Sequence, residues 1–198
     1  MLSYHNDPEV KAKYVARFVE HRRLDQVIQR YGFENGRGCF VGCTLNDYDH
    51  DKFPAELGWP VWLAHLSDTI FEGLHKSEAP QFGTDLLQAV PVGVDLEPVK
   101  NKFLIGLQKR NLKRLEAFTG PTENRAKDAI KSVIDWLESG APAKGMDSAR
   151  AAAQTAASAA WAAADPAWAA AWAAAGAAAR SKEFETQRDD LISIIRSL

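Results

Sequence analysis

Residues 149–179, ARAAAQTAASAAWAAADPAWAAAWAAAGAAA, decide how this 198-residue chain is read. About two-thirds of the stretch is alanine, the strongest helix former. Trp161, Trp168 and Trp172 recur at helical offsets, so they form one stripe. Pro166 interrupts the run, because proline lacks the N–H donor and clashes with the preceding turn. Asp165 as cap and Pro166 as first residue then restart a helix. The reading is an alanine-rich helix over 147–198, kinked near Pro166, that ends in the amphipathic register Phe184, Leu191, Ile195 and Leu198. An alanine face lets other helices approach closely, and the three indoles supply large anchors. This helix is therefore expected to be the central pillar of an all-α domain of six to eight helices. The same apolar face favours self-association, and a homodimer is expected. An ice-binding role would need threonine repeated along one face, and Thr155 alone lies in the run.

Working outward, the short linker 141–145 separates this helix from a helical domain over 1–140. A helix over 122–139 has Ala126, Ile130, Val133, Ile134 and Leu137 as its apolar face and Gly140 past its end. Asp95 looks like the cap of another, with Val99, Phe103, Leu107 and Leu115 on its buried side and Gly120-Pro121 as its stop. A short helix is expected over 84–90. From Pro60 onward, Leu63, Leu66, Ile70 and Leu74 line one helix face, while His65, Asp68 and Glu72 share the other. At the start of the chain, Asp7, Pro8 and Glu9 open a helix whose stripe Val10, Tyr14, Phe18, His21, Leu24, Ile28 and Tyr31 runs to Gly32. His21 lies within that stripe and is read as a buried, hydrogen-bonded core residue. Between these helices, Gly36, Gly38 and Gly42 break the apolar run of residues 33–58. That segment is read as an irregular Gly-rich loop with a short extended piece, anchored by its aromatic residues.

Charge narrows the function. Lys plus Arg is 24 and Asp plus Glu is 26, a formal charge of −2. So even a balance argues against non-specific nucleic-acid binding, which rests on many phosphate contacts. No long run of large apolar residues offers a membrane span, and the polar first residues carry no signal-peptide core, so a cytoplasmic protein is expected. Two cysteines are too few for a disulfide scaffold.

No P-loop, dinucleotide fingerprint, G-x-S-x-G or H-E-x-x-H occurs. Cys39 and Cys43, spaced C-x3-C with His50 after them, lack the tight paired spacing of structural zinc sites. They are read as small buried hydrophobes, with no metal and no cofactor assigned. The densest titratable group runs from Asp47 to Glu72. Its carboxylates and histidines suit acid–base work or ligand contact, although Asp47 to Lys52 also reads as a solvated turn and Asp68 and Glu72 as a helical pair. Two basic groups, Arg22, Arg23, Arg30 and Arg37, and Lys109, Arg110, Lys113 and Arg114, suit solvated helix faces. Beside Tyr14, Tyr31, Tyr48 and Trp62 they could also hold a phosphate and stack a base. The candidate ligand-binding residues are Arg37, Tyr48, His50, Glu56, Trp62, His65, Asp68 and Glu72; none is assigned as catalytic.

The segments Gly38-Cys39-Phe40-Val41-Gly42-Cys43-Thr44-Leu45, Glu56-Leu57-Gly58-x-Pro60 and Ile70-Phe71-Glu72-Gly73-Leu74 carry a resemblance. The chain resembles a family of uncharacterised bacterial and phage proteins. These join a GC-x-x-GCTL and FEGL centre to an alanine-rich, Trp-dotted C-terminal helix. The Pro166 break departs from the more continuous helix of that family. The resemblance implies no particular activity; occurrence in phages would fit counter-defence. The leading expectation is a non-enzymatic binding protein that sequesters a small anionic or nucleotide-like ligand, or a host protein, through residues 37–72. A hydrolase using the carboxylate and histidine group of 47–72 is the alternative. A protein–protein inhibitor or scaffold acting through its helical surface is the third reading.

Overall fold

A computed structural model of the chain describes residues 1–116, 119–140 and 166–198, without the side chains of 122 and 166–180. Among the described residues are eight α-helices: α1 (Pro8–Arg23), α2 (Phe40–Leu45), α3 (Phe53–Leu57), α4 (Val61–Gly73), α5 (Ala79–Ala89), α6 (Glu97–Leu115), α7 (Pro121–Ser139) and α8 (Pro166–Arg196). The single sheet among them is a hairpin of β1 (Phe33–Glu34) and β2 (Arg37–Gly38). The protein is all-α, as its helical periodicity implies. The alanine run before Pro166, the kink expected there and the tryptophan stripe lie outside the described residues and side chains. No helix among the described residues is long and apolar enough to cross a membrane.

The chain divides into two compact units, Met1–Lys100 with Ala178–Leu198, and Asn101–Ala177. In the first, five aromatic rings hold the centre. Phe40 on α2 packs against Phe18, Phe53 and Phe82, with centroids 5.7, 6.1 and 6.3 Å away, and Phe53 leads on to Trp59 at 6.0 Å. All five are buried, each side chain contributing about 1.5–3 kcal/mol by burial. α5 lies close on α1 because Gly83 has no side chain; a Cβ there would fall 2.2 Å from the Phe18 ring. The C-terminal end of α8 buries Leu191, Ile192 and Ile195 in this unit, and Phe184 fills the space over Gly73. In the second unit α6 and α7 are tied by Lys109 and Glu138, 2.8 Å apart.

Four local expectations change. α1 opens as read, with Asp7 accepting from the Glu9 N–H at 2.8 Å, but it ends at Arg23 and not at Gly32. The β-branched pair Val27-Ile28 leaves the helix to pair with β2: the Ile28 N–H reaches the Gly38 carbonyl at 2.8 Å and the Gly38 N–H that of Gln26 at 3.0 Å. Two residues of left-handed backbone, Asp25 (φ 51°) and Arg30 (φ 61°), make the bends, and Tyr31 is exposed. His21 is half-buried and bonded at both ring nitrogens, to Gln26 and Asn46 at 2.7 Å each. Residues 33–58, read as one irregular loop, contain the hairpin, α2, a 3-10 turn His50–Lys52 and α3. α5 begins at Ala79, five residues ahead of the expected start at 84; Pro80 sits in its first turn, where its missing donor is harmless.

Candidate functional site

The site begins with two glycines. Gly38 and Gly42 lie against the Gly32 carbonyl so closely that a Cβ on either would fall 2.4 or 2.1 Å from that oxygen. Only a bare backbone lets β2 and α2 pack there. Cys39, between them, is the residue before the first turn of α2, and its N–H donates to the Tyr31 carbonyl at 2.7 Å. The same packing brings the Cys39 side chain to α4. Its Sγ and one carboxylate oxygen each of Asp68 and Glu72 lie within 4.8 Å of one another.

Asp68 is the centre of the cluster. It is 7% exposed, on a helix whose apolar neighbours Leu63, Ala64, Ile70 and Phe71 are also buried. Its Oδ2 accepts from His50 Nε2 at 3.1 Å, and the Tyr48 hydroxyl stands 3.5 Å from the same oxygen. Its Oδ1 is buried with no hydrogen-bond partner. Such a group costs about 1–3 kcal/mol when nothing satisfies it, and more when charged. The His50 ring is stacked on His65, centroids 4.1 Å apart and 11° from parallel. Tyr48 meets the His50 ring edge-on at 5.2 Å and is 51% exposed. The result is a row of three rings, Tyr48, His50 and His65, laid over one buried carboxylate, with the outer rings at the surface.

Glu72 follows Asp68 by one turn. Its Oε2 accepts from the Arg30 N–H at 2.8 Å. Burial holds its carboxyl above the usual range, and the Asp68 charge adds to this. A groove of about 840 Å³ runs past Glu72, lined also by Gln29, Arg30, Leu74 and Lys76. Burial likewise raises both thiols: Cys39 with a further push from Asp68, Cys43 up to about 12. The Cys43 thiol is turned the other way and donates to the Gly38 carbonyl at 3.3 Å.

Of the eight candidate residues, Tyr48, His50, His65, Asp68 and Glu72 come together. Arg37 is exposed on β2, with its charge felt by Tyr31, whose hydroxyl donates to Glu34 at 2.5 Å. Glu56 faces α1, accepting from the Tyr14 hydroxyl and pairing with Lys13 at 3.8 Å. Trp62 is half-buried on the first turn of α4, with its Nε1 buried and unpartnered. No ring contact or hydrogen bond among the described residues ties it to the cluster. Cys39 and Arg30 belong to the site and were not among the candidates. For Cys39 the signal is the glycine spacing Gly32, Gly38, Gly42, which marks a close backbone approach; Arg30 stands in the basic group with Arg22, Arg23 and Arg37 that suits a phosphate. Comparison with protein-family models, curated proteins and solved structures returns no match.

Proposed function

We propose that the protein is a non-enzymatic binding protein that sequesters a small, anionic, nucleotide-like ligand at the Asp68 cluster. The observation that carries this is Asp68 Oδ1, a buried acceptor without a donor, beneath exposed aromatic rings. A base-like ring system offers what the site lacks: N–H donors for that oxygen and a flat face for Tyr48 or His65. The anionic part has Arg30 and Lys76 on the adjacent groove. Arg37, expected to supply this charge, sits on the hairpin with Tyr31 and Glu34. On the resemblance to phage proteins, the use of such capture is counter-defence, the ligand being withdrawn from its receptor. The homodimer expected from the alanine-rich face is part of the same proposal.

The test is native mass spectrometry of the protein purified from its host, followed by equilibrium dialysis against a panel of nucleoside monophosphates. Retention of a small ligand, weakened about ten-fold by Asp68→Asn and by Arg30→Ala, supports capture. Absence of any retained small molecule or nucleotide, with a protein co-purifying instead, counts against it. The hydrolase reading draws on one feature, the His50–Asp68 pair next to the Glu72 carboxyl that burial raises, which resembles acid–base machinery. Multiple turnovers of a retained ligand, abolished by Glu72→Gln, would replace sequestration by that reading.

A further inference from the structure

We propose that Cys39, Asp68 and Glu72 form a binding site for a divalent transition-metal ion of the zinc class. Three ligand atoms converge there, one thiol sulfur and two carboxylate oxygens, all within 4.8 Å of each other. A tetrahedral zinc ion with ordinary Zn–S and Zn–O lengths sets its ligand atoms about 3.3–3.7 Å apart, so modest side-chain rotations close the site. Acidic pairs on a helix surface are common and mean little. This one differs because Asp68 is buried and its Oδ1 is without a partner. A cation satisfies that oxygen fully, and it neutralises two carboxylates held one helical turn apart.

The surroundings suit a metal centre. His50 donates Nε2–H to Asp68 Oδ2 and the Arg30 N–H binds Glu72 Oε2, so each carboxylate is oriented by a second contact. The Cys39 sulfur sets the class of ion: magnesium and calcium take oxygen ligands, whereas a thiolate favours zinc and its neighbours. On binding, the Cys39 proton leaves to solvent and the sulfur coordinates as thiolate. Three protein ligands leave one position open. This inference goes beyond the ligand capture proposed above, and metal binding does not depend on it. With the ion on Asp68 Oδ1, the ligand of that reading would meet the site through an anionic oxygen at the open position instead of through an N–H donor to Oδ1.

Cobalt(II) is the probe, titrated into the full-length, reduced, chelator-treated protein with no nucleotide present. One ion per chain is expected, with a thiolate-to-cobalt charge-transfer band in the near ultraviolet that Zn²⁺ displaces and excess Mg²⁺ does not. Cys39→Ser should abolish the band, while Cys43→Ser, whose thiol faces Gly38, should keep it. Should Cys39→Ser fail to fold, half-buried Glu72→Gln carries the test, with affinity falling by about ten-fold or more. The proposal is overturned by the absence of a saturable band in wild type, by a band that follows Cys43 instead of Cys39, by displacement with Mg²⁺, or by unchanged affinity in Glu72→Gln. Nucleotide dialysis repeated in EDTA separates the two proposals: capture that persists there while cobalt binding fails sinks the metal site alone.

Discussion

Gly42→Ala tests the packing on which the whole site rests. Alanine is the better helix former by about 1 kcal/mol, and Gly42 is inside α2, so propensity alone favours the variant. Geometry opposes it. The new Cβ would stand 2.1 Å from the Gly32 carbonyl oxygen and 3.0 Å from the Phe33 Cβ. Comfortable non-bonded separations are about 3.5 Å, so backbone withdraws by more than about 1 Å on one side or the other. Overpacking of this kind costs about 1–3 kcal/mol. The shift also strains the Cys39 N–H bonds to Tyr31 and Gly32, 2.7 and 3.2 Å long, worth about 1 kcal/mol together. The net is a loss of about 1–3 kcal/mol, or roughly 2–12 °C in Tm for a chain of this length. Gly106→Ala is the paired control: it is also inside a helix, but its Cβ would meet nothing nearer than the Arg110 guanidinium at 3.9 Å. That variant should gain up to about 1 kcal/mol, a rise of about 2–4 °C. Thermal unfolding followed by circular dichroism reads both. Opposite signs are required; a Gly42→Ala protein as stable as wild type would mean that α2 does not sit on the Gly32 carbonyl, and the Cys39–Asp68 juxtaposition would go with it.

Phe184→Ala should lower stability by about 2–3 kcal/mol, less than a fully buried phenylalanine, because its ring fills the space over Gly73 while staying half-buried; an unchanged denaturation midpoint would place the end of α8 away from α4. Both cysteines are buried and their thiols raised by burial, so native labelling at neutral pH should be slow and should rise steeply on denaturation. Rapid labelling of Cys39 in the folded, metal-free protein would show an open site. Sedimentation equilibrium at micromolar concentration should give about twice the chain mass, from pairing of the apolar alanine-rich face; a clean monomer confines that face to contacts within the chain.

Helices with a plain period were legible from spacing alone. The Asp7-Pro8-Glu9 opening, the Asp95 cap and the apolar face of α4 depend on neighbours three or four residues away, and local spacing reports such neighbours directly. The errors share a cause. By local pattern Gly42 breaks its apolar run, but it and Gly83 sit inside helices because another chain segment comes too close for a Cβ. Pro80 sits in a first turn, and Val27-Ile28 follow β2 although their spacing continues the stripe of α1. Whether a glycine ends a helix or admits a neighbour depends on the partner segment, which local pattern does not contain.

The same limit explains the candidate site. The carboxylates and histidines of α4 and of the turn before α3 were visible as a cluster because they are close in sequence. The assignment of charge to Arg37 came from that closeness too, and the hairpin carries Arg37 to Tyr31 and Glu34 instead. What the fold adds is the Cys39 thiol, brought in by the close approach of Gly38 and Gly42 to Gly32, and Arg30, whose N–H binds Glu72 and which lines the groove. The order of charges at the site then has a consequence. Two carboxylates meet first, one of them buried with a free oxygen, so the innermost occupant is a cation or a hydrogen-bond donor. An anion approaches second, along the groove that Arg30 and Lys76 line. An anionic ligand tested against a chelated protein meets Asp68 and Glu72 uncompensated, whereas with the metal in place the same carboxylates are neutralised. Affinity for a nucleoside monophosphate should therefore rise when Zn²⁺ is restored to chelator-treated protein, and Glu72→Gln should shrink that rise while leaving the fold intact. Equal affinity with and without Zn²⁺ would separate the two occupants and leave Asp68 Oδ1 to the ligand's own donor.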